Sequence, residues 1–193
     1  MDLKNTADRY GSLSIGMHWL MLLVMVAVYA TINLHDIAAK GSDLRADLKV
    51  WHFAFGLCIM ALLLARVALR AAAGSEPRIV PPVPHWQALS AKAMHLALYA
   101  FMLGMPLLGW IAVSAKGAPI TMLGWPLPML IGPDKELYSA LKEIHQIGGT
   151  VGYYLVGLHA AAALIHHYVI RDTTLRRMLP ARHGAAGFNP AGR

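Results

Sequence analysis

The chain has 193 residues, 57% of them hydrophobic and 14% charged, with a net charge of +7 and one cysteine, Cys58. Soluble domains run about 45–50% apolar and about 25% charged, and a soluble core does not absorb an excess of this size, so the composition selects a membrane setting. The lone cysteine excludes an intrachain disulfide and a cysteine-held metal cluster, the lack of a Cys-x-x-Cys-His run excludes covalent haem attachment, and basic residues that flank apolar stretches instead of forming one stripe argue against nucleic acid as a partner.

Four stretches are long enough to cross roughly 30 Å of hydrocarbon, which takes about 20 apolar residues. The first, about 15–34, follows a polar leader, carries His18 and Trp19 and lacks a small-residue cleavage pattern, so it reads as a span and not as a cleaved signal peptide. The second covers about 50–69. Residues 74–87 hold Pro77, Pro81, Pro82 and Pro84 and read as an extended linker. The third span, about 93–113, contains Pro106, which is expected to kink it. Residues 117–133 read as a Gly/Pro-punctuated loop whose apolar side chains suit the membrane surface, and the fourth span covers about 147–170. The expected fold is an all-α integral membrane four-helix bundle, a single domain over 1–193 with membrane lipid as its surroundings.

The distribution of Lys and Arg sets the expected orientation. With the N-terminus cytoplasmic, the inner segments hold eleven basic residues (Lys4, Arg9, Arg66, Arg70, Arg78, Lys92, Arg171, Arg176, Arg177, Arg182 and Arg193) against the acids Asp2, Asp8, Glu76 and Asp172. The outer loops balance Lys40, Arg45, Lys49, Lys116, Lys135 and Lys142 against six acids. Both termini are therefore expected on the cytoplasmic side.

Histidines carry the functional signal. His145 and His159 lie fourteen residues apart in the last apolar stretch, which on a helix is about 21 Å of axial travel with only about 40° of rotation. Residues 144–170 contain no Asp, Glu, Lys or Arg, and an ionisable group inside a span marks a cofactor, ion or proton path. In the topology above, His52 and His145 fall near the outer ends of their spans, and His18 and His159 towards the inner side. Two opposed imidazole pairs at two depths suit two non-covalent haems, because two neutral imidazoles saturate the axial positions of haem iron and favour electron transfer over oxygen binding. Gly148, Gly149, Gly152 and Gly157, with Gly56, are expected to leave room for the rings. A lone histidine in an apolar helix is ordinarily hydrogen-bonded packing, the reading given to His95, while His35, His85 and His183 receive no role.

The chain resembles the four-helix bacterial cytochrome b561 family. The likeness rests on Ser14-Ile15-Gly16-Met17-His18-Trp19-Leu20, on Leu62-Leu63-Leu64-Ala65-Arg66, on the run from Gly152 to Tyr168 that includes His159-Ala-Ala-Ala-Ala-Leu-Ile-His-His167, and on Arg171-Asp172-Thr173-Thr174-Leu175-Arg176-Arg177-Met178-Leu179-Pro180. The resemblance implies an inner-membrane protein with two b haems, the inner one on His18 and His159 and the outer one on His52 and His145, passing electrons to the quinone pool. It allows a superoxide:ubiquinone oxidoreductase, with superoxide as the favoured donor and ubiquinone as the substrate reduced. A membrane-anchor subunit serving a separate redox protein, a dehydrogenase or hydrogenase, shares this ligand layout. A haem-free histidine-lined metal or proton transporter is the alternative of another class.

Four further residues are expected at the site. Arg66, fourteen residues after His52, falls at inner depth and is expected to neutralise an inner haem propionate. Lys49 and Lys142, each three residues before an outer histidine, are expected to steer superoxide. His166, seven residues beyond His159 on a similar face, is expected to hydrogen-bond or protonate a quinone, with His167 turned about 100° away from it.

Overall fold

The computed structural model describes residues 4–122 and 125–180; Asp2, Arg182, His183 and Arg193 lie outside the described residues. Four helices dominate: α1 (Ser12–Ile37), α2 (Asp43–Ala72), α3 (His85–Ala115) and α4 (Lys135–Ile165). Each is long and apolar enough to cross a membrane. All four begin before the apolar stretches read in the sequence, and cap chemistry is one reason; α1, α2 and α3 also end beyond them, whereas α4 stops at Ile165. Ser42 Oγ accepts from the backbone N–H of Arg45 at 3.2 Å ahead of α2, and Asp134 Oδ1 accepts from that of Leu137 at 3.0 Å ahead of α4. These side chains satisfy helix N-terminal donors, so the helix starts at the cap and includes a charged first turn outside the hydrocarbon. At the start of α3, His85, Trp86 and Gln87 are already helical, and Pro106 lies within its continuous length.

The segment read as a loop between the last two spans contains a short hairpin, β1 (Ile120–Met122) and β2 (Trp125–Leu127), with Ile120 opposite Leu127 and Met122 opposite Trp125. Three-residue strands are too short to show an alternating pattern, which is why the sequence reads only as a loop.

The helices pack in sequence order, α1 on α2, α2 on α3 and α3 on α4. The ring closes where Tyr29 Oη of α1 donates to the Gly149 carbonyl of α4 at 2.8 Å and Asn33 Nδ2 donates to Tyr153 Oη at 2.7 Å. Ile15, Met21 and Met25 of α1 and Leu57, Ile59 and Leu63 of α2 are buried, whereas Leu23 is 67% exposed, Leu96 70% and Tyr154 69%. Apolar side chains turned outward over the length of every helix are what a bundle solvated by lipid requires.

The bundle has two ends. At the proximal end the segment before α1, the α2–α3 linker and the segment after α4 are tied together. Arg78 N donates to Ala7 O at 3.0 Å, Tyr10 N to Arg177 O at 3.3 Å and Thr173 N to Val80 O at 3.0 Å. Trp19 Nε1 donates to Met178 O at 2.8 Å. Arg177 is buried, donates to Pro77 O and lies 5.6 Å from the centroid of the Tyr10 ring. The distal end carries the α1–α2 turn, where Arg45 caps α1 by donating to His35 O and Ala38 O, and the hairpin.

Candidate functional site

α4 carries both levels of the site. At the distal level His145 of α4 and His52 of α2 have ring centroids 6.1 Å apart with their planes at 82°. His52 is oriented by α1: its Nδ1 lies 2.9 Å from Val28 O. A carbonyl oxygen only accepts, so Nδ1 carries the ring proton and the lone pair is left on Nε2. His145 rests against α3 at Gly109, where an added Cβ would stand 3.2 Å from His145 Cε1. Gly109 was not singled out in the sequence, because its partner is a ring thirty-six positions away on another helix.

At the proximal level His18 of α1 and His159 of α4 have ring centroids 6.2 Å apart with planes at 68°. His95 of α3 joins them, 5.4 Å from the His159 centroid and stacked at 6.5 Å on Tyr99. Arg66 of α2 turns inward, donating from Nη1 to Ser14 O at 3.1 Å, and its charge acts on both His18 and His159. Arg66 therefore does not extend freely towards solvent or headgroups.

The glycines divide. A Cβ at Gly56, Gly149 or Gly157 would meet no atom within 4 Å, whereas one at Gly152 would run into Tyr29 Oη and the Phe101 ring, and one at Gly148 would lie 2.5 Å from Met105 Sδ. The expectation that Gly148 and Gly152 leave room for a cofactor ring is corrected: they admit side chains from α1 and α3 and bring the helices together.

The predicted lysines lie at the distal end. Lys49 of α2 is within electrostatic reach of Lys142 on α4 and also of Lys116, which follows α3, and of Arg45. Lys116 is the member the sequence reading missed, because nothing in its spacing relates it to a histidine. At the proximal end α4 continues into a π-helical turn, His166–Ile170, closed by Arg171 in the left-handed region at φ 61°. His166 Nδ1 lies 2.5 Å from Asp172 Oδ2. His167 packs its ring edgewise on Tyr168 and is not drawn into that contact.

The spacing of the two pairs can be tested against a metal. An iron bonded to two opposed imidazole nitrogens at roughly 2 Å each, as for other first-row metals, places the ring centroids about 6.3 Å apart. The separations of 6.1 and 6.2 Å match this value, and the 5.4 Å between His95 and His159 falls short of it. Comparison with known proteins agrees with that chemistry: the family model described as prokaryotic cytochrome b561 matches residues 9–181. The chain belongs to the prokaryotic cytochrome b561 family. It is 35% identical to cytochrome b561 homolog 1 of Escherichia coli (strain K12) over 175 residues, covering 91% of this chain and 99% of the relative. It is 31% identical to a protein named probable superoxide oxidase CybB of Yersinia pestis over 176 residues, 91% of this chain and 98% of that one. Cytochrome b561 homolog 2 of E. coli (strain K12) is 28% identical over 187 residues, 93% of this chain and 95% of the relative. Membership in the family makes this b561 chain a multi-pass protein of the bacterial inner membrane that binds b-type haem and acts in electron transport.

Proposed function

We propose that this b561 protein is a di-haem cytochrome, folded as one domain with both termini in the cytoplasm, that carries electrons across the membrane from superoxide at the distal, outer face to ubiquinone at the proximal, inner face. The observation that carries the reading is the pair of imidazole couples, His52 with His145 and His18 with His159, which share α4 at two levels and have the spacing of an iron held between two rings. His52 with His145 and His18 with His159 would hold haem b, which would supply one-electron redox chemistry when bound. The chain holds these ligands in place. Val28 O fixes the tautomer of His52, Gly109 seats His145, and the charge of Arg66 would offset a haem propionate at the proximal level.

The overall chemistry balances as two superoxide anions giving up one electron each and leaving as dioxygen, while one ubiquinone takes up two electrons and two protons. Lys49, Lys142 and Lys116 raise the local concentration of the small anion by steering. His166 binds a quinone carbonyl at the opposite end. Support for superoxide comes from the basic residues within electrostatic reach of Lys49 at the distal end and from the name of the Yersinia pestis relative.

Stopped-flow mixing of the purified holoprotein with superoxide, with and without ubiquinone, tests the reading. Fast haem reduction followed by quinone-dependent reoxidation is expected. A haem-loaded protein inert to superoxide would instead be an anchor awaiting electrons from a separate dehydrogenase or hydrogenase. A preparation that never shows a sharp reduced-minus-oxidised haem spectrum would overturn the cytochrome assignment.

A further inference from the structure

The segment after α4 contains a buried carboxylate that none of the roles above uses. Asp172 is 2% exposed. Its Oδ1 accepts from the backbone N–H of Thr174 at 2.8 Å, and its Oδ2 accepts from His166 Nδ1 at 2.5 Å. The backbone is shaped to bring these groups together. The π-helical turn from His166 to Ile170 inserts extra chain per turn, Arg171 reverses direction at φ 61°, and the N–H of Asp172 donates back to His166 O at 3.1 Å. A non-glycine residue in the left-handed region is costly, and a π-turn interrupts the regular helix, so both persist only where surrounding contacts hold them, and both cluster at functional sites. Here the hydrogen bonds of Thr173 to Val80, on the α2–α3 linker, anchor the far side of the turn.

The consequence falls on the other ring nitrogen. With Nδ1–H committed to Asp172, Nε2 is the atom of His166 that exchanges a proton, and it has no protein partner among the described residues on a side chain that is 20% exposed. A carboxylate behind an imidazole fixes its tautomer and orientation and faces the positive charge that appears when the second nitrogen is protonated, without taking the proton itself.

We propose that Asp172 is the positioning residue for proton delivery to quinone, holding His166 so that its Nε2–H donates to a quinone carbonyl oxygen as that quinone is reduced; this rests on the assignment of His166 to the quinone side. In the step, the N–H bond at Nε2 breaks and an O–H bond forms on the quinone, the electrons arriving from superoxide through the protein. His166 recovers its proton from cytoplasmic water, the second quinone proton comes from the same source, and Asp172 remains a carboxylate throughout.

The test uses haem-loaded protein in liposomes with ubiquinone, comparing wild type, Asp172→Asn, Asp172→Glu and His166→Gln. Haem content, visible spectra and reduction by superoxide are expected to match in all four. Quinone-dependent reoxidation in Asp172→Asn is expected to lose kcat by about 10- to 100-fold, the cost of removing the hydrogen-bonded partner behind a working histidine, with KM changed far less. Asp172→Glu, which keeps the charge, is expected to recover part of the rate. Wild type should show a solvent deuterium effect on reoxidation that His166→Gln abolishes. Wild-type protein that quinone does not reoxidise overturns the functional assignment and this role with it. Normal reoxidation by Asp172→Asn, or a loss confined to KM, overturns the role of Asp172 alone. If Asp172→Asn does not assemble, the deuterium measurement decides, and its absence in wild type overturns the proposal.

Discussion

His95 and His159 stand with ring centroids 5.4 Å apart, closer than the 6.2 Å between His159 and His18, so His159 has two imidazole neighbours on different helices. The wider separation is the one near the roughly 6.3 Å that a metal between two imidazoles would set. Replacing His18 or His159 with Ala is therefore expected to deplete the proximal haem, and His52→Ala the distal one, whereas His95→Ala keeps two haems per chain by pyridine haemochrome assay. Loss of one haem in His95→Ala with retention in His18→Ala would reassign the proximal pair.

Arg66 donates to Ser14 O inside the bundle, and its charge reaches both His18 and His159. With a haem held by His18 and His159, as proposed, removing a nearby positive charge would favour the oxidised iron. Arg66→Gln is expected to lower the proximal potential by tens of millivolts, where about 59 mV corresponds to tenfold in a one-electron equilibrium. The distal potential should stay in place. Superimposable redox titrations of variant and wild type would remove Arg66 from the site.

Lys116 and Lys142 both lie within electrostatic reach of Lys49 at the distal end. The triple replacement by Gln is expected to slow haem reduction by superoxide about tenfold or more at low salt and to flatten its dependence on ionic strength, because steering is a long-range effect that salt screens. An unchanged salt profile would return these lysines to membrane anchoring.

Asp172 predicts an acid limb in stability. Its burial opposes ionisation, but the hydrogen bonds from His166 and Thr174 outweigh it and hold the carboxyl below the ordinary carboxylate range. A depressed folded-state value stabilises the fold above the unfolded value of about 3.9, and that stabilisation is lost as pH falls through the folded value. Thermal melts in detergent are expected to show the wild-type advantage over Asp172→Asn at pH 7 shrinking below about pH 4. Parallel melting curves across that range would contradict it.

Gly152 is the buried point of α4, held against Tyr29 and Phe101. Gly152→Ala is expected to destabilise the bundle by about 1–3 kcal/mol, since neither α1 nor α3 can withdraw freely. Gly148→Ala should cost less, because it meets the flexible end of Met105. Equal melting temperatures for the two variants would refute that difference.

The membrane setting and the four spans were legible because they depend on composition and apolar length, quantities local to each stretch. The depth of each histidine was legible for a similar reason: helical rise converts residue number into distance, so His145 and His159 had to lie at two levels of one helix. The sequence by itself could therefore nominate His18, His52, His145 and His159 from topology. What it could not determine was which side chains meet across helices. That Gly109 seats His145, that Lys116 joins Lys49 and Lys142, that His95 crowds His159, and that Gly152 packs where a cofactor ring was expected are all set by the rotation of one helix against another. The capture of His166 by Asp172 was equally hidden, although only six residues separate them. A regular helix would turn those two side chains about 120° apart, and it took the π-turn, the left-handed Arg171 and the anchoring linker to bring carboxylate and imidazole together.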